Sequence, residues 1–237
     1  MLCMSVDYSD SNPELAELYP AHLRTVCERH DRALQSSGAL HVVVFSGQPK
    51  TAFLDDQDYP FKPNPHFLSW LPLQNLPLSC VVYTPGEKPR LVYFQPRDYW
   101  HSVPGEPDGY WANQFDVRIA HTIDDLRLHL PDDKDKCVFV GEAIDESQAF
   151  GIERINPTTV INILHYARGV KTDYEIQCMR LASLRGARGH IAAEEAFRNG
   201  QSEFDIHRAY CAAVDHTDNE LPYGNIIALN SHGAVLH

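Results

Sequence analysis

The stretch Leu40-His41-Val42-Val43-Val44-Phe45-Ser46-Gly47 decides the fold class. Its β-branched run is apolar on both alternating faces, the mark of a strand buried on both sides, and Ser46-Gly47 supplies the stop. Upstream, Pro20 suits the first turn of a helix. Leu23, Val26, Cys27, His30 and Leu34 follow at helical spacing, and Gly38 is placed to end the helix. Downstream, Cys80–Tyr83 and Arg90–Phe94 flank Pro85-Gly86-Glu87-Lys88, which predicts a hairpin. Thr122 and Asp125 form a capping box for a short helix through Leu130; Lys136–Val140 is a strand ending at Gly141; Pro157 opens a helix through Tyr166. Strands alternating with helices predict an α/β domain built on a mixed sheet.

The pattern changes near residue 170. Thr172-x-x-Glu175 caps a helix running to Asn199, with Gly200 as its stop, and Ser202-x-x-Asp205 caps another through Val214. Beyond Pro222, residues 225–230 and 234–237 read as two strands, the second running into the last residue. Two short strands do not complete a sheet, so the expectation is the opening piece of a second domain. No internal repeat or low-complexity segment occurs.

Composition removes several function classes. The chain has 237 residues, a formal net charge of −12 and 20 basic residues that form no runs, so it lacks the cationic face of a nucleic-acid binder. No apolar run approaches the roughly 20 residues that span a bilayer. Met1–Asp10 carries neither Lys nor Arg, which argues against a signal peptide and for the cytoplasm. Six cysteines without a C-x-x-C pair are expected as reduced thiols packed as small hydrophobes; Cys27 and His30 form a lone C-x-x-H.

Glycine-rich phosphate loops, G-x-S-x-G and H-E-x-x-H are all missing from the sequence. The acidic runs at 132–135 and 194–195 read as solvated surface. The run Asp55-Asp56-Gln57-Asp58 is different, because Phe53, Tyr59, Phe61 and Trp70 surround it. Two readings stay open there: a packed structural loop, or a wall of a binding site. His190 and His207 fall on predicted helices and read as structural histidines. His237 ends the apolar piece Ala234-Val235-Leu236 and would project from a sheet.

Taken together, these stretches carry a resemblance. Phe53-Leu54-Asp55-Asp56 with Tyr59-Pro60-Phe61-Lys62 and Asn64-Pro65, then Asp98-Tyr99-Trp100-His101, Lys171-Thr172 with Tyr174-Glu175, Ser202-Glu203-Phe204, Pro222-Tyr223-Gly224-Asn225-Ile226 and the terminal Leu236-His237 lie in the order found in bacterial Xaa-Pro dipeptidases (prolidases). The sequence resembles that family and its relatives the organophosphorus acid anhydrolases.

The resemblance implies an extension over residues 1–14 and an N-terminal mixed-sheet creatinase/prolidase-type α/β domain over 15–169. The truncated start of a pita-bread (α+β) catalytic domain follows over 170–237. It implies a metalloprotease, a hydrolase of dipeptides whose second residue is proline, using two divalent cations, manganese expected, held by two Asp, one His and two Glu. All five ligands lie beyond the Leu-His motif in that family, so this chain is expected to hold none of the cations and to be inactive alone.

By matched position, His237 is the active-site histidine beside the metals, which contacts substrate or stabilises the oxyanion. Tyr223 lines the substrate pocket and Leu236 adjoins it. Asp56 and Trp100 reach into the neighbouring subunit's site, which implies a homodimer through the N-terminal domain. No nucleic-acid or membrane partner is implied. Two other readings remain, a non-catalytic dimerisation or regulatory module and a hydrolase of organophosphate triesters.

Overall fold

The computed structural model describes residues 13–97, 99, 107–143 and 148–234. It divides into two compact units, Met1–Tyr174 and Glu175–His237.

The first unit opens on helix α1, Pro13–Ser37. The helix begins earlier than the periodicity predicts: Pro13 takes its first position and Pro20 lies inside it. A proline there forfeits a backbone hydrogen bond. Burial of Leu15, Tyr19, Leu23, Val26 and Leu34 on one stripe offsets that loss. Strand β1, His41–Phe45, follows as expected, then the one-turn helix α2, Pro65–Leu68, capped by the Asn64 side chain. Strands β2, Cys80–Tyr83, and β3, Arg90–Phe94, form the predicted antiparallel hairpin. Next come β4, Asp116–Ala120, and α3, Ile123–Leu128, whose Thr122/Asp125 capping box is present. Strand β5, Cys137–Val140, and α4, Thr158–Ala167, complete the unit.

The sheet order is β4-β3-β2-β1-β5. The β1–β2 and β2–β3 pairs are antiparallel, whereas β1–β5 and β3–β4 are parallel. β1 therefore lies between β2 and β5, and Val42, Val43, Val44 and Phe45 are all buried, which explains the unbroken apolar run. One face carries Val43, Phe45, Cys80, Val82, Val92, Cys137 and Phe139 against Leu126, Leu130 and Ile152. By the two-residue period the opposite face carries Val42, Val44, Val81 and Tyr83. There the Tyr83 hydroxyl donates to Asp31 Oδ1 of α1 at 2.7 Å.

Five cysteines among the described residues are free thiols. Burial pushes Cys80 up to about 12 and Cys137 up to about 11, so both are neutral packing groups, as the sequence predicts.

The second unit is built on α5, Asp173–Arg198, which begins at the end of the first unit, and α6, Glu203–Val214, capped by the Ser202 hydroxyl. Gly189 sets their separation: a Cβ there would stand 2.6 Å from the Tyr210 ring and 2.7 Å from a Val214 methyl. Gly189→Val should lower the stability of this unit by about 1–3 kcal/mol through overpacking. Gly186, three residues earlier, has open space at the same atom. Gly186→Ala should stabilise the helix by about 0.4–1 kcal/mol. Urea unfolding followed by circular dichroism checks the opposite signs.

The strand expected at 225–230 is corrected by the structure, whereas the one expected at 234–237 falls, beyond Ala234, outside the described residues. Residues 224–229 run without regular structure, Asn230–Ala234 forms a 3-10 turn, and residues 235–237 lie outside the described residues. A strand needs a neighbour for its N–H and C=O groups. No ladder reaches this segment among the described residues, and the Leu229 N–H is taken instead by the Glu203 carboxylate at 2.7 Å. Among the described residues no helix is long and apolar enough to cross a membrane.

Candidate functional site

Asp56 sits at the tip of a short excursion after β1. The excursion closes where Thr51 pairs with Asp58, with the Thr51 hydroxyl donating to Asp58 Oδ1 at 2.7 Å. Asp55 folds the tip by accepting from the Asp56 and Gln57 amides at 2.7 and 3.2 Å, an Asx turn. Leu54 adopts a positive φ of 59°, and Phe53 and Leu54 are 89% and 90% exposed. Among the described residues nothing in this unit covers them, so an acidic, aromatic tip is presented to solvent. Trp70, counted among the surrounding aromatics in the sequence, belongs to the core.

The first unit also anchors residues 170–174. His22 faces the Ser69 carbonyl through Nε2 and the Thr172 hydroxyl through Nδ1, both at 2.8 Å. A carbonyl only accepts, so Nε2 carries the proton and Nδ1 accepts from Thr172. Arg29 donates to the Val170 carbonyl at 2.7 Å, and the Tyr110 and Tyr174 hydroxyls meet at 2.7 Å. The Thr172 hydroxyl, predicted as a helix cap, thus meets the His22 ring of α1 within the first unit.

Tyr223 lies in the second unit, on the segment after α6, and is 77% exposed. Two attachments strap that segment to α6. The Asn225 side-chain amide lies 3.2 Å from His207 Nδ1. Glu203 accepts from the Leu229 N–H and stands 3.0 Å from His232 Nδ1, and these two partners hold its carboxyl below the usual range.

Trp100, Leu236 and His237 lie outside the described residues. Of the predicted site, the structure therefore describes Asp56 in one unit and Tyr223 in the other.

Sequence reading passed over one cluster. His207 and Cys211 stand four apart on α6 and so share a face. The helix stops at Asp215 in a left-handed conformation (φ 55°, ψ 48°), which turns the chain back and brings Asp218 alongside. His207 Nε2 lies 2.8 Å from Asp218 Oδ1 and 3.6 Å from Cys211 Sγ. The available signal was a His-x-x-x-Cys spacing on a helix, which a search for paired histidines does not catch.

Among the described residues this is the group of His, Cys, Asp or Glu able to hold a metal. One thiol, one imidazole and one carboxylate do not suit a pair of hard Mn²⁺ ions, which take carboxylate-rich oxygen sets. The residues described do not fit the two-metal centre.

Comparison with known proteins agrees with the N-terminal motifs. The family profile described as "Xaa-Pro dipeptidase, N-terminal domain" matches residues 17–166. This chain belongs to the Xaa-Pro dipeptidase family. It is 46% identical over 224 residues to an Xaa-Pro dipeptidase of Pseudoalteromonas atlantica and 49% identical over 227 residues to one of Xanthomonas oryzae pv. oryzae. These alignments cover 94% and 96% of this chain and 51% of each relative, so the chain spans about half the length of the curated relatives it matches. A solved Bacillus anthracis structure titled as an aminopeptidase P aligns over 84% of this chain and 51% of its own, with 12% identity and a TM-score of 0.49.

Proposed function

We propose that this chain supplies the N-terminal domain and the opening of the catalytic domain of an Xaa-Pro dipeptidase, a cytoplasmic, manganese-dependent hydrolase of dipeptides ending in proline. The carrying observation is 46–49% identity to proteins of that name along nearly the whole chain, with the family profile matched over residues 17–166. In this reading the N-terminal domain covers 15–169, and 170–237 opens the pita-bread domain. The exposed, rigidly turned Asp56 tip suits a group that acts on a neighbouring subunit, so Asp56 and Trp100 complete the partner's site in a homodimer. Tyr223, held out by the strap on α6, lines the pocket with Leu236, and His237 stabilises the oxyanion. Metal ions supply the water activation and carbonyl polarisation when bound.

The test joins the 237 residues in frame to the remaining half of the Pseudoalteromonas relative and assays Ala-Pro hydrolysis with Mn²⁺. The fusion should turn over and the 237-residue chain alone should not. His237→Ala in the fusion should lower kcat by about 10²–10³-fold, the loss expected for an oxyanion group. A folded, dimeric fusion without turnover would sink the proposal and favour the non-catalytic module. Turnover of a phosphotriester in place of Ala-Pro would correct the substrate.

A further inference from the structure

We propose that His207, Cys211 and Asp218 form a site for one borderline-soft divalent cation, Zn²⁺ by preference, on the face of α6. The site is independent of the peptidase reading, and it departs from the sequence expectation that this chain holds no metal.

Geometry is the first support. Tetrahedral zinc bonds of about 2.0–2.3 Å put neighbouring N, S and O ligands about 3.3–3.7 Å apart. The 3.6 Å between His207 Nε2 and Cys211 Sγ already matches such an edge. The 2.8 Å between His207 Nε2 and Asp218 Oδ1 is a hydrogen-bond length and needs to open by about half an ångström. All three donor atoms already lie within 4.8 Å of one another. Asp218 sits in the short 3-10 turn Asp218–Glu220 and its side chain is 75% exposed, so it is free to make that movement.

The second support is the surroundings of the imidazole. A metal-ligating histidine has its other ring nitrogen fixed by a hydrogen bond. Here the metal-facing atom is Nε2, and Nδ1 already meets the Asn225 side-chain amide at 3.2 Å. With a cation on Nε2 the proton moves to Nδ1, and the amide turns its oxygen toward it, a rotation an Asn side chain makes without moving the backbone. The thiol gives up its proton to solvent on binding and ligates as thiolate.

The third support is access. The three residues line an open cleft with Gln201, Phe204, Asp205 and Arg208. Solvent can therefore fill the fourth position. A thiolate, an imidazole and one carboxylate select Zn²⁺ over Mg²⁺, Ca²⁺ or Mn²⁺. Bound metal would tie α6 to the turn after it, reinforcing the same face on which Asn225 holds the Tyr223 segment.

Titration of the 237-residue chain with Co²⁺, read by visible absorption, tests this. One equivalent should bind with a dissociation constant on the order of 1 μM, giving a thiolate-to-cobalt charge-transfer band and tetrahedral d–d bands that Zn²⁺ abolishes. Cys211→Ser should remove the charge-transfer band, whereas Cys178→Ser should leave it. Asp218→Asn should weaken binding at least about tenfold, or 1.4 kcal/mol. Helical circular dichroism of the metal-free variants separates lost ligation from lost folding. In the unaltered chain Zn²⁺ should also protect Cys211 from alkylation, read by peptide mass. A band that survives Cys211→Ser, no saturable binding below about 100 μM, or alkylation of Cys211 at the same rate with and without Zn²⁺ would each overturn the assignment.

Discussion

Acidification from pH 7 to pH 4 is expected to lower the unfolding free energy of the first unit by about 3 kcal/mol through His30 alone. His30 is 3% exposed on α1. Its Nδ1 faces the Val26 carbonyl at 2.8 Å and therefore carries the proton, while Nε2 has no partner. Protonating Nε2 would place a cation in apolar packing with nothing to accept its hydrogen. Burial first, and Arg29 after it, push the imidazole down to about 4 from its usual 6.5, against the Val26 bond. The folded pKa is depressed, so the unfolded chain binds the extra proton throughout the interval from 6.5 down to 4. Stability is therefore complete above about pH 6.5, falls as pH drops through the interval, and becomes insensitive to this group below about 4.

His66 adds to the loss. It stacks on His165 at 4.9 Å with 12° between the rings, and burial, then Arg168 and His165, push it down to about 4. His165 is itself exposed, so water screens the pair, and a share of about 1–2 kcal/mol is expected. Urea unfolding at several pH values from 7 to 4 measures the sum. The difference between the unaltered chain and His30→Phe isolates the first share from carboxylates that titrate near the lower end. An equal acid loss in both proteins would refute the assignment to His30.

Trp70→Ala should cost about 3–5 kcal/mol, the range for deleting a large buried aromatic side chain. The indole is fully buried, with its centroid 4.6 Å from the His30 ring and 5.3 Å from the Tyr83 ring. It packs directly against the His30 ring. The cavity left by alanine borders a polar atom and so admits water, which lets the imidazole protonate nearer its usual pH. Trp70→Ala should therefore lower stability at pH 7 and also shrink the acid step. A double-mutant cycle with His30→Phe measures the coupling. A large loss of stability with an undiminished acid step would leave the packing account standing and remove Trp70 from the account of His30.

How much of this was legible beforehand depended on the kind of signal. The hairpin of Cys80–Tyr83 with Arg90–Phe94, the capping box at Thr122 and the buried strand at 41–45 were read correctly, because turn chemistry, caps and apolar period act over a few residues. The start of α1 was misplaced: Pro20 is a helix-start signal, but the Leu15–Tyr19–Leu23 stripe runs past it. The strand expected at 225–230 was misread for a related reason. An apolar run signals burial only where packing covers it, and Ile226 is 62% exposed; without a partner strand the run is not a strand.

Of the candidate site, Asp56 and Tyr223 came from resemblance and stand on exposed, internally fixed segments of separate units. The His207–Cys211–Asp218 cluster was missed because Asp218 joins it through a left-handed residue at Asp215, which residue spacing does not announce.

By itself the sequence determined most of the elements, the α/β class and the family, since short motifs and periodicities are properties of neighbouring residues. Tertiary structure alone decided that β1 pairs in parallel with β5 almost a hundred residues later, that Trp70 packs against the buried His30 ring, and that a thiol, an imidazole and a carboxylate converge on one face of α6. The physical reason is the same in each case. Pairing, burial and ligand geometry are relations between distant parts of the chain, and they exist only once packing has brought those parts together.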